Sequence, residues 1–595
     1  MNIGQRLEAV REVLRREHLA AFIFPTTDPH QSEYTADHWK GRQWVSGFDG
    51  SAGTAVVTLT AAALWTDSRY FIAAEQQLAG TGYRLMKQKV EGTPTIAEWL
   101  GRQLAEEGES TEVGIDGAVA SATTVRELIA ELRKQGGLTL RTNLDLLAQV
   151  WTARPPMPQT PVEIQPLEYA GETAHSKIDR LRREIFRLHA DGMLVTALDD
   201  IAWTLNIRGA DVHCNPVTIS YLLIAPQRAT LYINKVKLSP QVTAYLKGEG
   251  VDVDDYDRVG EGLSKYSEYN ILLDPDEVSY SLFSKVNRPV VEAQSPVAQM
   301  KCVKNTAEIE GFRRAMERDG VAMVRFLRWL KPAVEAGGQT EMSIDRKLTA
   351  LRAALPLYRG LSFDTIAGYE AHGAIVHYEA TADSDAVLKP EGLLLLDSGA
   401  QYQDGTTDIT RTIALGPVTA EQRRVYTLVL KAHIQLEMAK FPSGISGTQI
   451  DAIARQPLWR EGLNYLHGTG HGVGSYLNVH EGLHQIRMEH RPAPLRQGMT
   501  VTDEPGIYLE GRFGVRIENT LLITQYRHTE CGEFLQFEPL TLCPIDTEPI
   551  DTSLLTPEEA EWLNAYHHMV CQRLGKYLDG DDAEWLQKKC SPLTL

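Results

Sequence analysis

The sequence predicts an α/β (α+β) chain in which two related α/β units precede a longer region that carries the chemistry. Three observations predict it. Short apolar, strand-like runs recur in the same order in the first two stretches of the chain. A proline-dense segment separates those stretches. In the last third, acidic residues stand inside apolar or glycine-rich segments, where charge is costly unless it is neutralised. At 595 residues the chain is too long for one core, and length alone suggests about three or four domains.

The first unit, residues 1–154, opens its strand pattern at Ala20–Phe24. A tryptophan-containing turn is expected at Trp44–Gly47, then apolar strands at Thr54–Thr58 and Ala63–Thr66. The second unit, residues 155–299, repeats this order: Met193–Thr196, a turn around Trp203, then Ser220–Ile224 and Ala229–Ile233. Between them lies Arg154–Pro161, with four prolines in seven positions, which forms neither a helix nor a central strand and predicts a stiff linker. A second seam is placed near Ser295-Pro296, after which Ala307–Ala315 begins a helical pattern.

The third region, residues 300–595, holds the unusual segments. The apolar run Leu393–Leu396 ends at Asp397; turn signals at Gln403-Asp404-Gly405 precede a returning strand from Ile409 to Leu415. A helix start is expected at Thr448–Asp451. Another is expected at Thr556-Pro557-Glu558-Glu559, with threonine as cap and proline at the first position. Beyond it Trp562, Leu563, Tyr566 and Val570 recur at helical spacing, so a C-terminal extension of about residues 545–595 is expected to pack on the body.

Bulk properties exclude several classes. The net charge of −18, without a Lys/Arg-rich run, argues against nucleic acid as the partner. No stretch approaches 18 consecutive apolar residues, so no membrane span is expected, and the first residues carry no secretory signal pattern. The six cysteines are scattered and form no CxxC pair, which points to reduced thiols and a cytoplasmic setting.

Five residues carry the chemical expectation: Asp397, Asp408, His471, Glu504 and Glu518. The two aspartates are eleven residues apart, on either side of the expected hairpin turn. Two strands joined there can aim both at one point, although the pair taken alone is equally a solvated surface hairpin. His471 lies among Gly468, Gly470, Gly472 and Gly474, a pattern that denies a helix and lets other groups approach the backbone. Glu504 precedes a Pro-Gly turn, and Glu518 stands in Gly514–Ile523, expected to be one strand. Four carboxylates and one imidazole suit two divalent cations about 3.5 Å apart, the usual two-metal hydrolytic spacing. Oxygen-rich ligation favours hard ions such as manganese over a thiolate-type zinc site.

These segments, together with Val45–Thr54, Asp397–Thr412, His467–Gly474 and Asn478–Gly482, resemble the pita-bread metallopeptidases. Within that group they resemble the long, three-domain cytosolic aminopeptidase P (Xaa-Pro aminopeptidase) family. The resemblance covers nearly the whole chain. It implies two ribonuclease-H-like, creatinase-type α/β domains followed by a pita-bread catalytic domain, and removal of an N-terminal residue that precedes proline. It also implies two divalent ions, with manganese expected and cobalt or zinc as alternatives. Asp397, Asp408 and Glu518 would hold one ion, and Asp408, His471, Glu504 and Glu518 the other, with a bridging hydroxide as nucleophile. Glu504 would carry the proton, His467 and His480 would assist as catalytic histidines, and His377, His480 and Arg516 would contact or orient substrate. Peptides with proline second, no nucleic acid, no membrane and a homodimer complete the implied partners.

Without the resemblance, His377 reads by default as a structural, bonded histidine, His480 as part of a polar rim beside Glu481 and His484, and Arg516 more often as a surface ion pair. The segment after His377-Tyr378 departs from the family by placing Glu379-Ala380-Thr381 where proline or a small residue is usual. The polar segment Gln485–Arg496 has no assigned role. Two competing functions stand beside the leading one: a prolidase restricted to Xaa-Pro dipeptides, and a non-catalytic pita-bread scaffold.

Overall fold

The computed structural model describes residues 1–107 and 110–595. Two compact units make up the chain: Met1–Gln165 with Glu172–Val297, and Pro166–Gly171 with Ala298–Leu595.

The first unit contains two six-stranded sheets of the same topology. One is built from β1 (Ala21–Pro25), β2 (Thr54–Thr58), β3 (Ala62–Thr66), β4 (Arg84–Lys87), β5 (Glu112–Ile115) and β6 (Thr139–Arg141), in the order β4-β3-β2-β1-β5-β6. The other is built from β7 (Met193–Val195), β8 (Ser220–Ile224), β9 (Ala229–Ile233), β10 (Val251–Asp254), β11 (Ile271–Leu273) and β12 (Val290–Glu292), in the order β10-β9-β8-β7-β11-β12. Both join their three middle strands antiparallel and add parallel strands at the two edges. The three middle strands of each sheet are buried, largely apolar runs, as a sheet covered on both faces requires. The tryptophan segments expected as turns are helices instead, Gly41–Ser46 and Leu198–Leu205. The turn signals are their C-terminal stops: Gly47 at φ 81° and Asn206 at φ 51° take the left-handed conformation that ends a helix.

The second unit places antiparallel sheets beside long helices. Helix α1 (Thr306–Glu335) starts with a capping box between Asn305 and Glu308. A three-stranded sheet joins β13 (Ile366–Tyr369), β14 (Leu393–Ser398) and β15 (Ile409–Ala414), with Asp397 opposite Thr410. The turn between β14 and β15 is pinned by buried Asp404, which pairs with Arg314 and Arg318 of α1. Behind the sheets, α2 (Ala420–Glu437) is buried along most of its length and packs on α3 (Gly447–Trp459). The expected helix start at Thr448 is corrected to Ser446. Its side chain and that of Gln449 form the capping box, while Asp451 is buried against Arg455 one turn on.

Six further strands frame the remaining site segments. They are β16 (Gly470–Gly472) paired with β17 (Glu481–Ile486), then β18 (Thr500–Asp503), then β19 (Gly506–Leu509). Next come β20 (Phe513–Arg516), paired with β19, and β21 (Asn519–Thr529), paired with β18. Glu518 is therefore not inside one strand; the chain breaks at Ile517-Glu518 between β20 and β21. At the end of the chain, α4 (Pro557–Leu574) begins with the expected Thr556 capping box and buries Leu563, Tyr566 and Val570. Among the described residues no helix is long and apolar enough to cross a membrane.

Candidate metal centre

Each acidic residue stands at an end or a break of a strand, where the side chain can turn towards a common point. Asp397 is the penultimate residue of β14, and Asp408 lies just before β15. Glu504 follows β18 and donates its own N–H to the Thr469 carbonyl at 2.7 Å; Glu518 donates to the Thr410 carbonyl at 3.0 Å. His471 is the middle residue of β16. Its flanking glycines are dictated by close packing. A Cβ at Gly470 would overlap the Thr502 carbonyl, and one at Gly472 the Glu481 carbonyl.

The side chains converge. Ligand-type atoms of Asp408, His471 and Glu518 lie within 4.8 Å of one another. His471 Nε2 is 3.5 Å from Asp408 Oδ2 and 3.5 Å from Glu504 Oε1. His471 Nδ1 sits 2.9 Å from the Gly472 carbonyl, which accepts, so the proton is on Nδ1 and Nε2 presents its lone pair to the carboxylates. Glu518 Oε2 accepts from Thr410 Oγ1 at 2.8 Å. Asp397 Oδ2 accepts from Arg516 Nη2 at 2.7 Å and Nε at 3.1 Å, while its Oδ1 is buried with no hydrogen-bond partner.

Electrostatics follow from that geometry. Burial, then the charges of Asp397 and Glu504, push the Asp408 carboxyl well above the usual carboxylate range. Burial, then Asp408, Asp397 and Glu504, do the same to Glu518. Glu504 is pushed up to about 7 by burial, with Arg516 opposing and Asp397 adding to the rise. Acids crowded this closely resist ionising together unless cations join them. The buried lone oxygen on Asp397, the outward lone pair of His471 and the four-carboxylate donor set fit two divalent cations.

The remaining expected residues lie around this cluster. The His480 ring stands perpendicular to the His471 ring, 4.4 Å between centroids. The next residue, Glu481, is buried and pairs with Lys304. His467 Nε2 is 2.8 Å from the Tyr508 hydroxyl, which accepts from Arg516 Nη1 at 2.7 Å. His467, Tyr508, Arg516 and Asp397 thus form one connected chain. Arg516 is buried rather than a surface ion pair, and its Nη2 also reaches the Val376 carbonyl at 3.4 Å, next to half-buried His377. Part of the Gln485–Arg496 segment is strand β17, and its Arg487 pairs with Glu489.

Three supporting residues escaped sequence reasoning. Tyr508 lies in a short apolar strand and gives no signal of its own. Asp451 accepts from Thr469 Oγ1 at 2.5 Å. Arg455 donates to the Tyr465 carbonyl at 2.6 Å and the His467 carbonyl at 2.9 Å, so α3 shapes the loop leading to His471. Their i, i+4 spacing on a helix was the available clue.

Comparison with known proteins gives the family. Residues 310–525 match the metallopeptidase family M24, and residues 533–593 match the C-terminal region of peptidase M24. Residues 6–141 and 153–308 each match the creatinase/prolidase N-terminal domain. The aminopeptidase P1 of Arabidopsis thaliana is 38% identical over 632 residues, covering 97% of each chain. The chain belongs to the aminopeptidase P family of M24 metallopeptidases. The aminopeptidase P1 of Lotus japonicus is 37% identical and covers 99% of each chain. Among solved structures, the X-prolyl aminopeptidase of Caenorhabditis elegans, a cytosolic enzyme with a di-nuclear active site, matches with a TM-score of 0.94 at 36% identity over 100% of both chains. The Xaa-Pro dipeptidase of Bacillus anthracis matches with a TM-score of 0.52 at 25% identity, covering 63% of this chain and 99% of its own.

Proposed function

We propose that this M24 metallopeptidase removes the N-terminal residue from peptides whose second residue is proline, using two divalent cations. The observation that carries the reading is the buried convergence of Asp408, His471 and Glu518, with Glu504 against the same imidazole nitrogen. Asp397, Asp408 and Glu518 would hold one ion, and Asp408, His471, Glu504 and Glu518 the other. When bound, the pair of cations neutralises the carboxylates and acidifies water towards neutral pH.

The chain's own residues do the rest. Arg516 grips one oxygen of Asp397 through two N–H groups, which leaves the other oxygen aimed into the site. Glu504 takes a proton from the water whose oxygen bonds to the carbonyl carbon, and gives it to the proline nitrogen as the C–N bond breaks; that nitrogen lacks a proton of its own in the tertiary amide. His480, against His471, and His377, beside the Val376 carbonyl that Arg516 reaches, border the cluster and would contact substrate. The Arg516–Tyr508–His467 chain holds the phenol so that it donates to His467 Nε2, whose Nδ1 proton goes to the Gly468 carbonyl at 2.7 Å. His467 is thereby poised as a relay at the rim.

Manganese as the resident metal, a homodimer and a cytoplasmic setting belong to the same proposal, as do domain limits at 1–154, 155–299 and 300–595. A prolidase restricted to dipeptides fits less well. The dipeptidase relative spans 63% of this chain, and this chain carries two creatinase/prolidase N-terminal matches. A scaffold would not need five ligand-type side chains.

The test is hydrolysis by metal-stripped protein reloaded with manganese, cobalt or zinc. Expected is release of the first residue from an Xaa-Pro-Xaa peptide in preference to cleavage of Gly-Pro. Preference for the dipeptide would favour the prolidase, and no cleavage with any of the metals would favour the scaffold.

A further inference from the structure

Behind the metal-ligand carboxylates lies a second buried charged cluster that the mechanism does not use. His433 of α2 stands between two acids: its Nε2 is 3.1 Å from Glu437 Oε1 and its Nδ1 3.1 Å from Asp503 Oδ2. All three side chains are buried, and Asp503 Oδ1 has no hydrogen-bond partner. One imidazole with a carboxylate at each nitrogen is the geometry of an imidazolium that donates both N–H groups. Burial pulls His433 down, but Asp503 and Glu437 outweigh it and lift it to about 9.

The cluster is tied to the active carboxylates by chain neighbours. Asp503 precedes Glu504 and Asn519 follows Glu518, and the two are register partners across β18 and β21. Glu504 and Glu518 lie just beyond the paired strand ends that carry Asp503 and Asn519. Asn519 Nδ2 donates to Glu437 Oε1 at 2.8 Å, on the oxygen that His433 also faces. Its Oδ1 accepts from Arg411 Nη2 at 2.9 Å. Arg411 Nη1 donates to the Glu518 carbonyl at 2.6 Å, and Arg411 Nη2 also donates to the Tyr566 hydroxyl at 2.9 Å. Tyr566 comes from α4, stacked on Trp562 at 5.4 Å, and Trp562 stands perpendicular to His433 at 5.9 Å.

We infer that His433, Glu437, Arg411 and Tyr566 are positioning residues that hold Glu504 and Glu518 in ligand geometry through Asp503 and Asn519, making the C-terminal helix part of the metal centre's support. The inference rests on the two-metal reading above.

The test is metal titration by calorimetry of metal-stripped full-length protein, wild type against His433→Gln and Tyr566→Phe, with folding checked by circular dichroism. Cobalt(II) absorption serves as a second readout of ligand geometry. Expected is roughly 10- to 100-fold weaker manganese binding and a shifted cobalt band in His433→Gln, the usual cost of removing such an outer partner. Tyr566→Phe is expected to weaken binding less. In His433→Gln/Asp503→Asn part of the affinity returns, because the neutral amide no longer requires a cation. Unchanged affinity and spectrum in folded His433→Gln overturn the inference. If that variant does not fold, unchanged affinity in Tyr566→Phe overturns it. A third metal equivalent in wild type, lost in His433→Gln, also overturns it by making the cluster a cation site. Wild type that binds no metal refutes the two-metal reading itself.

Discussion

Removing the charge of Glu504 should stabilise the metal-free protein while destroying its activity. Glu504 is pushed from 4.5 to about 7 in the folded chain, chiefly by burial. A carboxyl whose folded value is raised binds more protons folded than unfolded. The fold therefore loses stability as pH rises from the unfolded value of 4.5 through about 7, and above that the loss is complete. Two and a half units correspond to up to about 3 kcal/mol. Glu504 keeps 19% of its side chain exposed, which brings the figure down rather than up. Glu504→Gln cannot ionise, so at pH 8 it escapes this cost. For a catalytic unit of about 300 residues, 3 kcal/mol is roughly 5 °C in Tm. The assay is calorimetric unfolding of chelated wild type and variant at pH 5 and pH 8. The variant should unfold higher by a few degrees at pH 8 and by little at pH 5. Adding manganese should reverse the order at pH 8, because only the wild type gains a full ligand set. A variant less stable than wild type at pH 8 without metal would refute the picture of uncompensated like charges.

Two further outcomes follow from the same geometry. Asp408→Asn, which alters a carboxylate within reach of His471, Glu504 and Glu518, should abolish both metal retention by elemental analysis and peptide turnover; surviving turnover would reject its bridging role. Gly470→Ala should force β16 away from the Thr502 carbonyl, costing about 1–3 kcal/mol of stability in denaturant unfolding and weakening metal binding, since His471 is the next residue.

How much of this was legible before folding depends on range. The three middle strands of each N-terminal sheet were visible because each is a local apolar run bounded by turn residues; edge strands such as Arg84–Lys87 and Val251–Asp254 are short and partly polar, and gave no such signal. What local pattern could not supply was that Trp44 and Trp203 lie on helices: the stop signals at Gly47 and Asn206 terminate a helix as readily as they make a turn. The five ligand-type residues stood out because charge among apolar and glycine neighbours is anomalous. Their convergence was not legible, because it depends on the registers Asp397 with Thr410 and Asp503 with Asn519, set by packing across more than a dozen residues in each case. The break at Glu518 was hidden for the same reason: its neighbours are good strand formers, and the interruption comes from the separate pairings of β20 and β21. Tyr508, Asp451 and His433 are ordinary members of their own segments and acquire a role only through partners remote in sequence.

The balance of charge separates a working metal centre from a relic of one. Four acids meet in this pocket, and Arg516 is the guanidinium bonded within it; its N–H groups are committed to Asp397, Tyr508 and Val376. Asp408 and Glu518 have a neighbouring imidazole and hydroxyl but no cationic side chain bonded to them among the described residues. Such an arrangement is costly for a protein that uses the fold only to bind a partner, because replacing buried charges with apolar groups of similar size is often neutral or stabilising. Retaining all four, with the proton of His471 turned away from them, preserves a site whose stability improves when divalent cations enter. The carboxylates that burden the empty protein are those proposed to hold the cations, so stability against pH and metal content tests that reading without measuring turnover.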